Sequence, residues 1–140
     1  MEYNTPTLKE RNLMAMNWND LARIFPLLPP HVAENGLYNL ARNHSEDYTG
    51  GQWTVENIGG FDFVIAPEGL YNVVNDNNYY EGTMNHRTFG VALTLLLYNV
   101  SLWKYVEKCT EELSERFYAM REAAYNDRSL NVEALYSFLD

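Results

Sequence analysis

Only one cysteine, Cys109, stands among 140 residues. No internal disulfide can form, and the chain fits a reducing compartment, the cytoplasm. Basic residues are scarce as well, ten against nineteen acids, for a formal net charge of −9. So few cations disfavour direct nucleic-acid binding, which sets Lys and Arg against phosphates. The opening run MEYNTPTLKERN lacks the apolar core of a secretory signal. A long hydrophobic span is missing too. Phe89 to Val106 is interrupted by Asn99, Ser101 and Lys104, falls short of the ~20 apolar residues a bilayer requires, and reads as a buried helix.

Chemistry is equally thin. His31, His44 and His86 have no second ligand at i+3 or i+4, so there is no helical metal pair. Asp76-Asn77-Asn78 with Glu81 lacks the central glycine and twelfth-position ligand of a calcium loop. Cys109 has no base beside it in sequence to activate it. No serine sits in a nucleophile elbow, and neither Gly-Gly pair leads into the Gly-Lys-Ser/Thr of a phosphate loop. The expectation is a chain without a catalytic set, metal or cofactor.

What is present is a globular composition, 46% apolar, in a length that suits one domain. Residues 1 to 16 read as weakly ordered. Asn19 or Asp20 starts a helical turn ending before Pro26, and Pro29-Pro30 enters a helix running to about His44. Strands QWTVEN and FDFVIA flank Gly59-Gly60, and Leu70 to Asn75 and Tyr79 to Thr83 supply two more. Asn85 caps an apolar helix to about Tyr98, in which Gly90 implies a close approach to the sheet. Ser101 is expected to cap a further helix to about Tyr125, with Trp103, Val106, Thr110, Leu113, Phe117, Met120 and Ala124 on one face. On its polar side Lys108 pairs with Glu112, and Glu112 with Arg116. Asn131 caps a last helix that docks Val132, Leu135, Tyr136 and Leu139. The fold class is α+β: a small antiparallel sheet of three or four strands packed against several α-helices in a single domain.

The hairpin register follows from side-chain alternation. A two-residue Gly59-Gly60 turn would set Ile58 opposite Phe61 and Glu56 opposite Phe63, mixing polar and apolar residues on both faces. A three-residue loop, Ile58-Gly59-Gly60, sets Trp53 opposite Ile65, Val55 opposite Phe63 and Asn57 opposite Phe61. One face is then nearly all apolar, so the three-residue loop is the expectation.

The elements Asp47-Tyr48, Gly50-Gly51, Trp53, Gly59-Gly60-Phe61 and Ala66-Pro67 come in the order and spacing of a known signature. Together with MNHRTFGVALTLLLYNV and the tail FYAMREAAYNDRSLNVEALYSFLD, they make the chain from Leu37 to Asp140 resemble the plasmid antirestriction family of the ArdB/KlcA type. That resemblance implies a non-catalytic protein of mobile DNA that relieves type I restriction. Its partner would be a protein component of the restriction enzyme or an associated host factor. A weak homo-oligomer stays open. Candidate partner-binding residues are Tyr48, Gly50, Gly51, Trp53, Gly59, Gly60, Phe61 and the terminal Asp140. Two alternatives remain: an acidic DNA mimic, and a small hydrolase or nuclease using Asp62, Asp76, Glu81 and His86.

Overall fold

In a computed structural model, the structure describes residues 14–140. Most of the segment expected to be weakly ordered lies outside them. Strand β1 (Met14–Ala15) pairs with β2 (Thr54–Ile58), which pairs with β3 (Phe61–Ile65), all antiparallel. Strands β4 (Leu70–Asn75) and β5 (Tyr80–Asn85) form a separate two-stranded sheet. Around them lie α1 (Trp18–Ile24), α2 (Pro30–His44), α3 (His86–Lys104), α4 (Glu111–Tyr125) and α5 (Val132–Leu139). The α+β class with antiparallel strands therefore holds, with the strands divided between two sheets.

Helix α3 is the axis of the core. Twelve of its residues are buried, on all sides, and it packs against α2, α4, α5 and β3. Its start is fixed as the sequence implies, with Asn85 Oδ1 accepting from the Thr88 N–H at 2.8 Å. The expected close approach at Gly90 is present: a Cβ there would lie 2.5 Å from Ile65 Cα and Val64 O. Thr94, one turn on, joins the helix to the strand edge. Its hydroxyl accepts from the Val64 N–H at 3.1 Å and shares its own proton between Gly90 O (2.8 Å) and Val64 O (3.3 Å). A helix therefore covers the edge of β3 that would otherwise invite another strand.

Three boundaries differ from expectation. Helix α1 begins at Trp18, because Asn17 and Asp20 form a reciprocal capping box. Helix α3 runs past Asn99 and Ser101 to Lys104, since the Ser101 hydroxyl bonds back to Tyr98 O instead of capping a new helix. The chain breaks after Lys104, in a 3-10 turn at Val106–Lys108, and Thr110 caps α4 through the Leu113 N–H. Trp103 and Val106, expected on a buried stripe, are consequently exposed. Lys108 lies off the helix, and neither Lys108–Glu112 nor Glu112–Arg116 is among the ion pairs of the described residues. In α5, Asn131 caps and Leu135 is buried as expected, but Phe138 docks inward and Tyr136 is exposed.

The asparagine-rich turn after β4 has a structural task. Asn75 Nδ2 donates to Phe138 O at 2.9 Å, and Asn78 Nδ2 to Phe138 O at 2.8 Å and Ser137 O at 3.1 Å. Side-chain amides thus satisfy carbonyls that the end of α5 leaves unpaired.

Candidate functional site

The hairpin closes differently from the sequence-based register. Ile58 pairs with Phe61, Asn57 with Asp62, Glu56 with Phe63, Val55 with Val64 and Thr54 with Ile65. Its loop is the two residues Gly59-Gly60, at φ +60° and +93°, matching the twist of the strands. The alternation argument assumed one wet face, yet Phe63, Val64 and Ile65 are all buried. The polar residues this register turns inward are paired. Arg87 Nη2 reaches Glu56 Oε2 at 2.7 Å, Arg23 Nε reaches Asp62 Oδ2 at 2.9 Å, and Asn57 Nδ2 bonds Asp62 Oδ1 at 3.1 Å. Asn57 Oδ1 also accepts the Gly60 N–H, which anchors the turn.

The candidate residues separate into a buried group and an exposed group. Trp53 is 3% exposed and Tyr48 8%. The indole N–H donates to Tyr48 Oη at 3.1 Å, their rings meet edge to face, and Tyr38 packs on the indole. Phe61 is half-buried against the core. Gly50, Gly51, Gly59, Gly60 and Asp140 are exposed. Gly51 and Gly59 back onto Pro67 and Ala123, while nothing lies within 4 Å of a Cβ built at Gly50 or Gly60. The two glycine pairs stand on opposite sides of β2, whose five residues alone span ~17 Å. Asp140 sits elsewhere, at the end of α5 beside Tyr136 and Tyr125, and burial pushes the Tyr125 phenol up. The eight residues therefore do not form one patch.

Two surface networks brace this frame and were not legible in the sequence. One joins Glu56, Arg87, Ser129 and Asp127, with Arg87 Nη1 donating to Ser129 Oγ at 2.8 Å. The Ser129 hydroxyl and N–H donate in turn to Asp127, and these bonds hold its carboxyl below the usual range. In the other, Asp47 Oδ2 accepts the Asn72 N–H at 2.7 Å and ties the segment before Tyr48 to β4. Among the described residues no group of three acids, histidines or cysteines is arranged to hold a metal. Asp62, Asp76, Glu81 and His86 line neither the groove between α3 and α4 nor the depression between β5 and α5.

Residues 46–140 match the family model described as antirestriction protein. The chain belongs to the antirestriction protein family. A putative antirestriction protein, YubI of Escherichia coli (strain K12), is 30% identical over 92 residues, covering 65% of this chain and 64% of YubI. The chain thus spans slightly less than two thirds of that relative. A solved structure from work on the KlcA and ArdB proteins superposes with a TM-score of 0.63 at 19% identity, over 91% of this chain and 94% of its own. KlcA and ArdB are described there as having a novel fold and antirestriction activity against type I DNA restriction systems in vivo but not in vitro. The ArdB/KlcA resemblance read from the hairpin signature therefore holds, and the fold is shared over nearly the whole chain.

Within the antirestriction family match lie all eight candidate residues. Membership assigns none of them a role. What the fold adds is the distinction between Tyr48 and Trp53, which a macromolecule cannot touch, and the open turns they support.

Proposed function

We propose that this chain relieves type I restriction of incoming mobile DNA without catalysis, by docking on a protein component of the restriction machinery or an associated host factor. The observation that carries the reading is the family match over residues 46–140. The hairpin suggests how contact is made. The buried Tyr48–Trp53 pair flanks the loop at Gly50 and Asn57 anchors the turn at Gly60, both glycines have positive φ, and open space lies where a side chain would stand. A partner's backbone can approach such a turn closely. The exposed Asp140 side chain would provide a second contact at the end of α5.

The alternative, an acidic DNA mimic, needs a continuous band of unpaired acids. Asp20, Glu56 and Asp62 are committed to Arg23 and Arg87 and so are lost to such a band, but the preference for docking on protein rests on the family match.

The test is unmodified phage plated on hosts with and without a type I restriction system, with this protein expressed. Plating on the restricting host is expected to rise toward the non-restricting level; equal plating with and without the protein would sink the antirestriction reading. Gly50→Asn and Gly60→Asn place a side chain in open space at the cost of backbone strain at φ +94° and +93°, which Asn bears better than most residues. Folded variants that retain full relief would remove the turns from the contact surface and leave the antirestriction reading standing.

A further inference from the structure

The break between α3 and α4 leaves an apolar surface that the hairpin account does not use. Trp103 is 76% exposed, Val106 63%, Tyr118 57% and Val100 45%. These four side chains together expose roughly 500 Å², near the top of the range for the largest apolar patch of a monomer. Trp103, Val106 and Tyr118 rim a groove of about 180 Å³ whose floor includes Leu102, Phe117 and Cys109. The molecule thus carries a large exposed indole directly beside a hole that a large side chain would fill.

Three observations favour a second copy of this chain as the occupant. A knob beside a matching hole is self-complementary under two-fold rotation, the arrangement that an isologous dimer requires. Charges at this corner are of both signs: Lys104 ends α3, Glu107 and Lys108 share the 3-10 turn, Glu111 and Glu115 stand on α4, and Arg121 lies over the Tyr118 ring. None of these forms an ion pair with another described residue. A partner of one charge sign would meet like charges somewhere on this rim, whereas a second copy brings both signs to it. Finally, two such patches bury roughly 1,000 Å² in total, enough for a weak interface and too little for an obligate one. We propose that this face is the interface of a weak two-fold dimer in which Trp103 of each copy seats in the groove of the other. The proposal is independent of the antirestriction reading.

Sedimentation equilibrium tests it on the whole chain. As concentration rises from about 5 µM to about 500 µM, the mass of the wild-type protein is expected to climb from 16.3 kDa toward twice that value, with a Kd of about 10–100 µM. Trp103→Glu and Val106→Glu alter exposed positions, and each is expected to raise the Kd more than tenfold with an unchanged circular dichroism spectrum. A wild-type protein at 16.3 kDa throughout, or a folded Trp103→Glu variant that associates as tightly as wild type, would overturn the proposal. Cys109 gives a second readout from within the groove. Its rate of maleimide labelling per thiol is expected to fall severalfold in the dimer, and an unchanged rate in associated protein would place the contact on another face and overturn it equally.

Discussion

Gly90→Ala tests the closest approach in the molecule. In an exposed helix the change would add about 1 kcal/mol of stability through helix propensity. Here the new methyl would sit 2.5 Å from Ile65 Cα and Val64 O, and 2.6 Å from Ala66 N. All three are backbone atoms, of β3 or of the residue that follows it, so no rotamer change relieves the overlap. Helix α3 must move outward by roughly 1 Å, at an overpacking cost of about 1–3 kcal/mol. The move also strains the Thr94–Val64 bonds, each worth about 1 kcal/mol. Set against the propensity gain, the net loss is about 2–3 kcal/mol. For a chain of this size the melting temperature should fall by about 6–15 °C. The assay is urea unfolding followed by far-UV circular dichroism, with a lower midpoint and unchanged m. Gly36→Ala in α2 is the control. Its methyl would meet only Leu97 Cδ1, at 3.0 Å, the end of a flexible side chain, so it should be neutral or up to about 1 kcal/mol stabilising. A Gly90→Ala protein as stable as wild type would refute the claim that strand contact demands glycine.

Two further predictions concern polar atoms. The Tyr98 hydroxyl is buried without a hydrogen-bond partner among the described residues, on a ring that packs against Phe25 and Phe117. Tyr98→Phe is therefore expected to stabilise by about 1 kcal/mol, and a loss of that size in a urea titration would show that the hydroxyl has a partner after all. The Asp127 carboxyl is held below its usual range chiefly by the Ser129 side-chain hydrogen bond. A folded-state pKa below the unfolded value adds stability that is complete above the unfolded pKa and disappears as pH falls through the folded one. Ser129→Ala should accordingly lower the urea midpoint at neutral pH, with the gap to wild type closing from about pH 4 downward. A gap independent of pH would remove Asp127 from the explanation.

Local chemistry carried much of the fold. Asn85 and Asn131 cap where a short polar side chain precedes a hydrophobic run, and Gly90 marked a backbone contact because nothing else justifies glycine in a buried helix. Non-local chemistry was not legible. The hairpin register brings Glu56 and Asp62 to Arg87 and Arg23, which lie 31 and 39 residues away in sequence. Both acids are partly exposed as well as paired, so this register leaves no unpaired buried charge, and alternation within the two strands could not reveal that. The α3–α4 boundary was hidden for a different reason. The apolar 3-4 spacing continues through Trp103 and Val106, although these residues face solvent. Periodicity records which residues are apolar and cannot say what covers them. Thr110 followed by two acids was the available signal for a helix start.

The same distinction bears on the candidate site. A signature of aromatics and glycines invites the idea that its aromatics grip a partner, since Tyr and Trp dominate binding hot spots. Tyr48 and Trp53 instead bond to each other inside the core, and the side chain of neighbouring Asp47 holds the backbone of β4. Trp53→Ala would therefore weaken the frame by about 3–5 kcal/mol through removal of a buried ring, whether or not the hairpin touches anything, so a functional loss in it would not report contact. Only exposed positions can separate support from contact. Gly50 and Gly60 on the hairpin, and Trp103 and Val106 on the α3–α4 corner, are positions where a side chain can change what a partner meets while the core stays as it is.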